Sequence, residues 1–167
     1  MALIIEDGSI VTNANSYITR SDFIAFAASL GITIVDDTTA DTLLVKGFQY
    51  LNSLEVGLKG MRTLKSQTSA YPRDDLYIED YEWLSTEIPR QVILAQELLA
   101  MDLNAGIDIY NRPQSASTAV KKVRVEGAVS KEYAVGDGMK MSSVTQTRAV
   151  VNSLLRNSGF TIAITRG

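Results

Sequence analysis

Residues 87–106 read Glu-Ile-Pro-Arg-Gln-Val-Ile-Leu-Ala-Gln-Glu-Leu-Leu-Ala-Met-Asp-Leu-Asn-Ala-Gly, and this stretch decides the fold class. Pro89 suits the first turn of a helix, where its missing N–H costs nothing and its fixed φ is already helical. Glu87 just ahead of it complements the positive end of the helix dipole. Ile88, Val92, Ala95 and Leu99, with Leu98 beside them, form a wide apolar stripe at helical spacing. Asn104-Ala105-Gly106 closes the helix.

Two further amphipathic helices lie upstream. Thr19 or Ser21 caps one that turns Phe23, Phe26, Ala27 and Leu30 inward and ends at Gly31. A short apolar run, Ile32 to Val35, leads to Asp36-Asp37-Thr38-Thr39, where several residues can cap a second helix carrying Leu44, Phe48 and Leu51, with Tyr50 and Leu54 beside them. From about Glu55 to Thr86 no period is legible. So long an irregular stretch is expected to be functional, ordered by partners, or built of short elements.

Beyond the linker Ile107 to Thr118 the period changes from 3.6 to 2. Val120, Lys122, Arg124 and Glu126 alternate with Lys121, Val123 and Val125, and a second alternation follows Gly127 as far as Val135. This predicts a β-hairpin. Ser142 or Ser143 caps a last helix with Val144, Val151, Leu154 and Leu155 inward, and Phe160 to Thr165 reads as a terminal strand. Arg148, Asn152 and Arg156 fall four apart on one helix face, which serves either as a solvated surface or as a phosphate contact. The fold class is mainly α with a β-hairpin (α+β), as one domain over residues 1–167.

Hydrophobic residues make up 46% and charged residues 21% of the 167, which excludes a disordered, collagen-like or membrane-embedded body. There is no histidine and no cysteine. That removes Ser-His-Asp and Cys-His nucleophiles, Cys/His zinc sites and disulfides together. No apolar run approaches the roughly 18 residues that span a bilayer. The opening Met1-Ala2-Leu3-Ile4-Ile5-Glu6-Asp7 lacks the basic start of a secretory signal, so a cytosolic product is expected.

The net charge of −3 hides a division. Residues 1–111 hold 7 Lys+Arg against 16 Asp+Glu, and residues 112–167 hold 9 against 3, giving an acidic helical part and a basic part. A basic third faces phosphates, docks on an acidic neighbour, or is simply one side of a bipolar surface.

Enzymatic sites are each missing a part. Gly57-Leu58-Lys59-Gly60-Met61-Arg62-Thr63 departs from the phosphate-loop spacing, and Asp74, Asp75, Glu79, Asp80, Glu82 and Glu87 match no EF-hand. No Ser-x-x-Lys or Gly-x-Ser-x-Gly occurs. No catalytic residue, metal site or cofactor site is nominated. Single-stranded nucleic-acid binding needs a basic groove and stacking aromatics. Here Tyr77, Tyr81 and Trp83 sit among acids, and the basic hairpin contributes only Tyr133.

Several short motifs nevertheless fall in a recognisable order. Met1-Ala2-Leu3-Ile4-Ile5-Glu6-Asp7-Gly8 precedes Asn13-Ala14-Asn15-Ser16-Tyr17-Ile18-Thr19; Tyr50-Leu51 precedes Leu58 to Thr63; then come Gln67, Ala70-Tyr71-Pro72-Arg73, Ile88-Pro89 and the basic alternation from Val120 to Tyr133. Over nearly the whole chain this resembles a bacteriophage family labelled DnaT-like single-stranded DNA-binding proteins, whose members look like head-to-tail connectors, or adaptors, of the virion. The family shows Trp where this chain has Tyr71, and the segment after Arg73 is more acidic here.

The resemblance implies a connector-like helical bundle with an extended hairpin and short terminal strands. It implies a ring homo-oligomer, dodecameric in this fold group, beneath the portal protein, extending the DNA channel and joining tail or nozzle proteins. Double-stranded DNA would pass by non-specific contact, with no membrane involved, at the head-tail junction of a virion assembled in the host cytoplasm. Under this reading Lys121, Lys122, Arg124, Lys131, Arg148 and Arg156 are subunit-interface or DNA-channel candidates. Tyr71, Pro72 and Arg73 form either a candidate partner-contact loop or a loop pinned to its own domain, and Phe160, Ile162 and Ile164 a candidate portal-docking strand. The alternative is a single-stranded DNA-binding replication protein, which predicts tight, salt-sensitive binding by the isolated subunit.

Overall fold

The computed structural model describes residues 2–110 and 144–156. Their element order is α1 (Arg20–Ser29), α2 (Asp37–Ser53), a 3-10 turn (Glu55–Gly57), β1 (Met61–Arg62), β2 (Arg73–Asp74), β3 (Leu76–Ile78), β4 (Tyr81–Trp83), α3 (Arg90–Asn104) and α4 (Val144–Leu154). The fold is mainly α with small antiparallel β elements. The hairpin expected from Val120 to Val135, the caps Ser142 and Ser143, and the strand Phe160 to Thr165 lie outside the described residues.

α3 is the central element, packed against α1, α2 and α4. Val92, Ala95 and Leu99 bury their side chains with Phe48 and Leu51 of α2 and Val151 and Leu154 of α4. A second cluster sets Ala100 and Met101 of α3 against Phe23 and Ala27 of α1 and Leu43 and Leu44 of α2. Each fully buried leucine or valine here contributes roughly 1.5–3 kcal/mol relative to exposure. Between the clusters Gln96 is fully buried, accepting from the Tyr17 N–H at 2.8 Å and donating Nε2 to Ser16 Oγ and the Leu44 carbonyl, both at 2.9 Å. Gly47 lets the two helices approach, since a Cβ there would stand 3.2 Å from the Gln96 carbonyl.

The caps follow the sequence. Thr19 accepts from the Asp22 N–H to open α1, and Asp36 accepts from the Thr39 N–H at 2.7 Å to open α2. Gly31, at φ +74°, takes the left-handed turn past α1. Leu30, expected inward, is the C-cap and is 54% exposed: the helix has ended there, and it lies beyond the cluster that takes Phe23 and Ala27. Ile32 to Val35 forms no strand.

Two hairpins occupy the stretch where no period is legible. β1 pairs with β2 through Met61–Asp74 and Arg62–Arg73, and β3 with β4 through Leu76–Trp83, Tyr77–Glu82 and Ile78–Tyr81. Strands of two or three residues are too short to show alternation. Both central residues of the β3–β4 turn are left-handed, Glu79 at φ +53° and Asp80 at +66°, a geometry that favours glycine. Asp80→Gly is therefore expected to raise the unfolding free energy by about 0.5–1 kcal/mol. A urea midpoint that falls in this variant would contradict the turn assignment.

Among the described residues no helix is long and apolar enough to cross a membrane.

Candidate functional site

Tyr71, Pro72 and Arg73 are all buried within their own chain, as the pinned-loop reading expects. Arg73 donates Nε to the Lys59 carbonyl at 2.7 Å, Nη1 to Ala70 at 3.1 Å and Nη2 to Gly60 at 3.2 Å, with Glu55 3.8 Å from Nη1. Its guanidinium lies over the Tyr71 ring, 5.9 Å from the centroid. Burial pulls the Arg73 pKa below the ordinary guanidinium value, and burial likewise pushes the Tyr71 phenol up. Gln67 Nε2 donates to the Ser69 and Pro72 carbonyls and closes the loop internally. Polar residues beside a proline read as surface from sequence. Here they satisfy the carbonyls of a folded-back segment.

The loop is also held by a residue that sequence reasoning missed. Glu6 is 1% exposed, and its carboxylate accepts from the N–H groups of Gly8, Ile10 and Val11 and from Ser69 Oγ. Gly8, at φ +104°, is required there, since a Cβ would come 2.1 Å from the Thr86 carbonyl. A glycine two residues after an acid is a weak signal for such a nest.

α4, which belongs to the basic third of the sequence, packs on this body. Thr147 Oγ1 donates to Asp102 on α3 at 2.6 Å, and Val151 and Leu154 are buried. Burial raises the Asp102 pKa, with the Thr147 hydrogen bond opposing it. At the end of α4 the Lys59 N–H donates to the Leu154 carbonyl at 2.9 Å and the Arg156 N–H to Gly57 at 2.8 Å. Arg156 also donates Nε to the Leu58 carbonyl at 2.8 Å and Nη2 to Gly60 at 2.6 Å. It is thus a tie between α4 and the 57–60 segment. Arg148 is exposed on α4 and is separated from it in role. Lys121, Lys122, Arg124 and Lys131, and the strand residues Phe160, Ile162 and Ile164, lie outside the described residues.

The other described arginines are engaged with carboxylates: Arg20 with Asp37 and Asp41, Arg62 with Glu55, and Arg90 with Glu79. Two open grooves mark the surface. One, of about 430 Å³, is lined by Ile18, Ile88 and Ile93 with Asp7, Asp22 and Glu97. The other, of about 440 Å³, lies between α3 and α4 around Arg90, Gln91, Leu94 and Val150. Among the described residues no group of three or more carboxylates is placed to hold a metal ion.

In the first groove burial, and then the Asp22 charge, push Glu97 from 4.5 up to about 7. A carboxyl whose folded pKa is raised contributes stability that is fully present below its unfolded value and is lost as the pH rises through the folded one. Glu97→Gln should leave stability near pH 4 unchanged and raise it near pH 8 by on the order of 1–2 kcal/mol, allowing for partial exposure. Urea midpoints at the two pH values check this, and an equal shift at both would refute it. The groove is negative at neutral pH and repels phosphate, so an anionic ligand has to approach elsewhere.

The match found for this chain corrects the virion reading. A family model covers it from residue 1 to residue 167, and its description concerns binding of single-stranded DNA. It does not describe a bacteriophage head-to-tail connector or adaptor, a portal-binding ring oligomer, or a structural lining of a packaging and ejection channel. No curated protein and no solved structure matches the chain. With all 167 residues aligned, the chain belongs to the family described as "Putative DnaT-like ssDNA binding protein".

Proposed function

We propose that this protein binds single-stranded DNA through its phosphates, without reading sequence and without catalysing a reaction. The observation that carries the reading is the family match over residues 1–167. The charge partition supports it, since residues 112–167 hold 9 Lys+Arg against 3 Asp+Glu while the remainder is acidic. Phosphate contacts need only such side chains, and they supply affinity that falls with salt. Lys121, Lys122, Arg124 and Lys131 carry much of that charge, and Arg148 is exposed where α4 leads into the described body. Arg156, used internally, is left out of the contact set.

Aromatics are sparse in the basic part, with Tyr133 and Phe160 its only ones. Phosphates then supply most of the affinity, and stacking on these two rings supplies the preference for an unpaired strand over a duplex. Fluorescence anisotropy with a labelled oligo(dT), an unstructured mixed-sequence strand and a duplex of equal length tests the reading. The two single strands are expected to bind alike and more tightly than the duplex. The slope of log K against log salt should be about −3 for four phosphate contacts. Preference for the duplex, or binding indifferent to salt, would overturn the proposal.

A further inference from the structure

The β3–β4 hairpin presents a surface of the opposite sign. Its inner face is anchored by Leu76 and Ile78, which are fully buried, and by Trp83, which is half-buried. On the outer face Tyr77 is 54% exposed, and Leu84 just past β4 is 60% exposed; Tyr81, paired with Ile78, belongs to the other face and is exposed at the turn end. Large apolar side chains grouped on one exposed element mark interaction surfaces. Residues 74–87 contain six carboxylates and neither lysine nor arginine. Among the described residues Arg73 is buried and Arg90 pairs with Glu79 at 3.5 Å, and no lysine or arginine is paired with Glu82.

Register sets the chemistry. Tyr77 stands directly opposite Glu82, so both belong to the outward face. Directly opposed residues of an antiparallel pair have Cβ atoms about 4.5–5.5 Å apart. A planar guanidinium laid on the Tyr77 ring can therefore present its N–H edge to the Glu82 carboxylate at the same time. A lysine ammonium, a point charge without a stacking plane, makes one of these contacts well but not both. Phosphate is repelled by the same carboxylates.

We propose that the outward face of the β3–β4 hairpin is a docking surface for a basic, arginine-bearing segment of a partner protein, with the guanidinium stacked on Tyr77 and paired to Glu82. Charge complementarity selects this occupant, and Leu84 supplies apolar contact beside it. The proposal rests on the hairpin's own residues and does not depend on the DNA assignment.

Trp83 is the single tryptophan and lies in β4, so its fluorescence reports on the hairpin directly. The full chain is titrated at low salt with a blocked octapeptide of alternating arginine and alanine, and with its lysine counterpart. A saturable change in emission is expected, with the arginine peptide bound about fivefold more tightly. Tyr77→Ala should abolish that preference, Tyr77→Phe should keep it, and Glu82→Gln should weaken both peptides. Circular dichroism verifies that each variant is folded; if Tyr77→Ala is not, the Tyr77→Phe and Glu82→Gln results decide. Equal affinity for the two peptides overturns the proposal. So does a Tyr77-dependent emission change produced by oligo(dT) alone, without peptide, or a dimer of the chain that Tyr77→Ala dissolves.

Discussion

Replacing Glu6 by alanine is expected to lower the unfolding free energy by about 3–5 kcal/mol. Its Oε1 accepts from Gly8 and Ile10, each at 3.0 Å, and its Oε2 from Val11 at 2.9 Å and Ser69 Oγ at 3.0 Å. Truncation leaves three N–H donors without their acceptor, while Ser69 Oγ keeps the Tyr71 carbonyl at 2.6 Å, and each orphaned donor costs roughly 1–3 kcal/mol before relaxation. Glu6→Gln keeps the volume but turns two of the donors toward an amide NH₂, so it should recover less than half of the loss. Ile10, at φ +61°, and Asn13, at +59°, hold left-handed conformations around this nest. Without the carboxylate the loop is expected to relax, and the amides of Gly8, Ile10 and Val11 should lose protection from hydrogen exchange. Urea unfolding and exchange measured together check this. A loss below about 1 kcal/mol would place Glu6 among ordinary surface acids.

Arg73→Met is the second large effect, at about 3–4 kcal/mol. Methionine fills the volume but offers nothing to the Lys59, Gly60 and Ala70 carbonyls. Arg73→Lys should recover little, because one ammonium cannot reproduce a three-way fork. The consequence extends to α4, since the Gly60 carbonyl is shared with Arg156 Nη2 and the Lys59 N–H is bonded to the Leu154 carbonyl at 2.9 Å. Exchange of the Lys59 amide should accelerate in Arg73→Met even where global unfolding is not reached. An unchanged Lys59 amide would show that the tie to α4 does not pass through this arginine.

These two residues also show what sequence reading reaches. α3 was legible because Pro89 and a stripe at 3.6 spacing leave few alternatives, and the caps Thr19 and Asp36 stand where an oxygen is needed ahead of an apolar run. Glu6, Arg73 and Gln96 were not, since a polar residue reads as exposed until its partners are known, and those partners are distant in sequence. Gln96 meets Tyr17 across 79 residues, and Glu6 meets Ser69 across 63. For the same reason the sequence leaves Tyr71-Pro72-Arg73 open between a contact loop and one pinned to its own domain. β1 to β4 escaped because so few residues carry no period. The charge partition needed only counting, but counting left open whether a positive third serves phosphates or a protein neighbour.

The most direct test of the central claim is a charge reversal at Lys121→Glu, Lys122→Glu and Arg124→Glu, with binding of the intact protein to oligo(dT) measured at low salt beside the parent. The account predicts that the parent binds, that the variant remains folded by circular dichroism, and that its affinity falls by at least about tenfold per two charges reversed. Undiminished binding by the folded variant, or no binding by the parent, would contradict it.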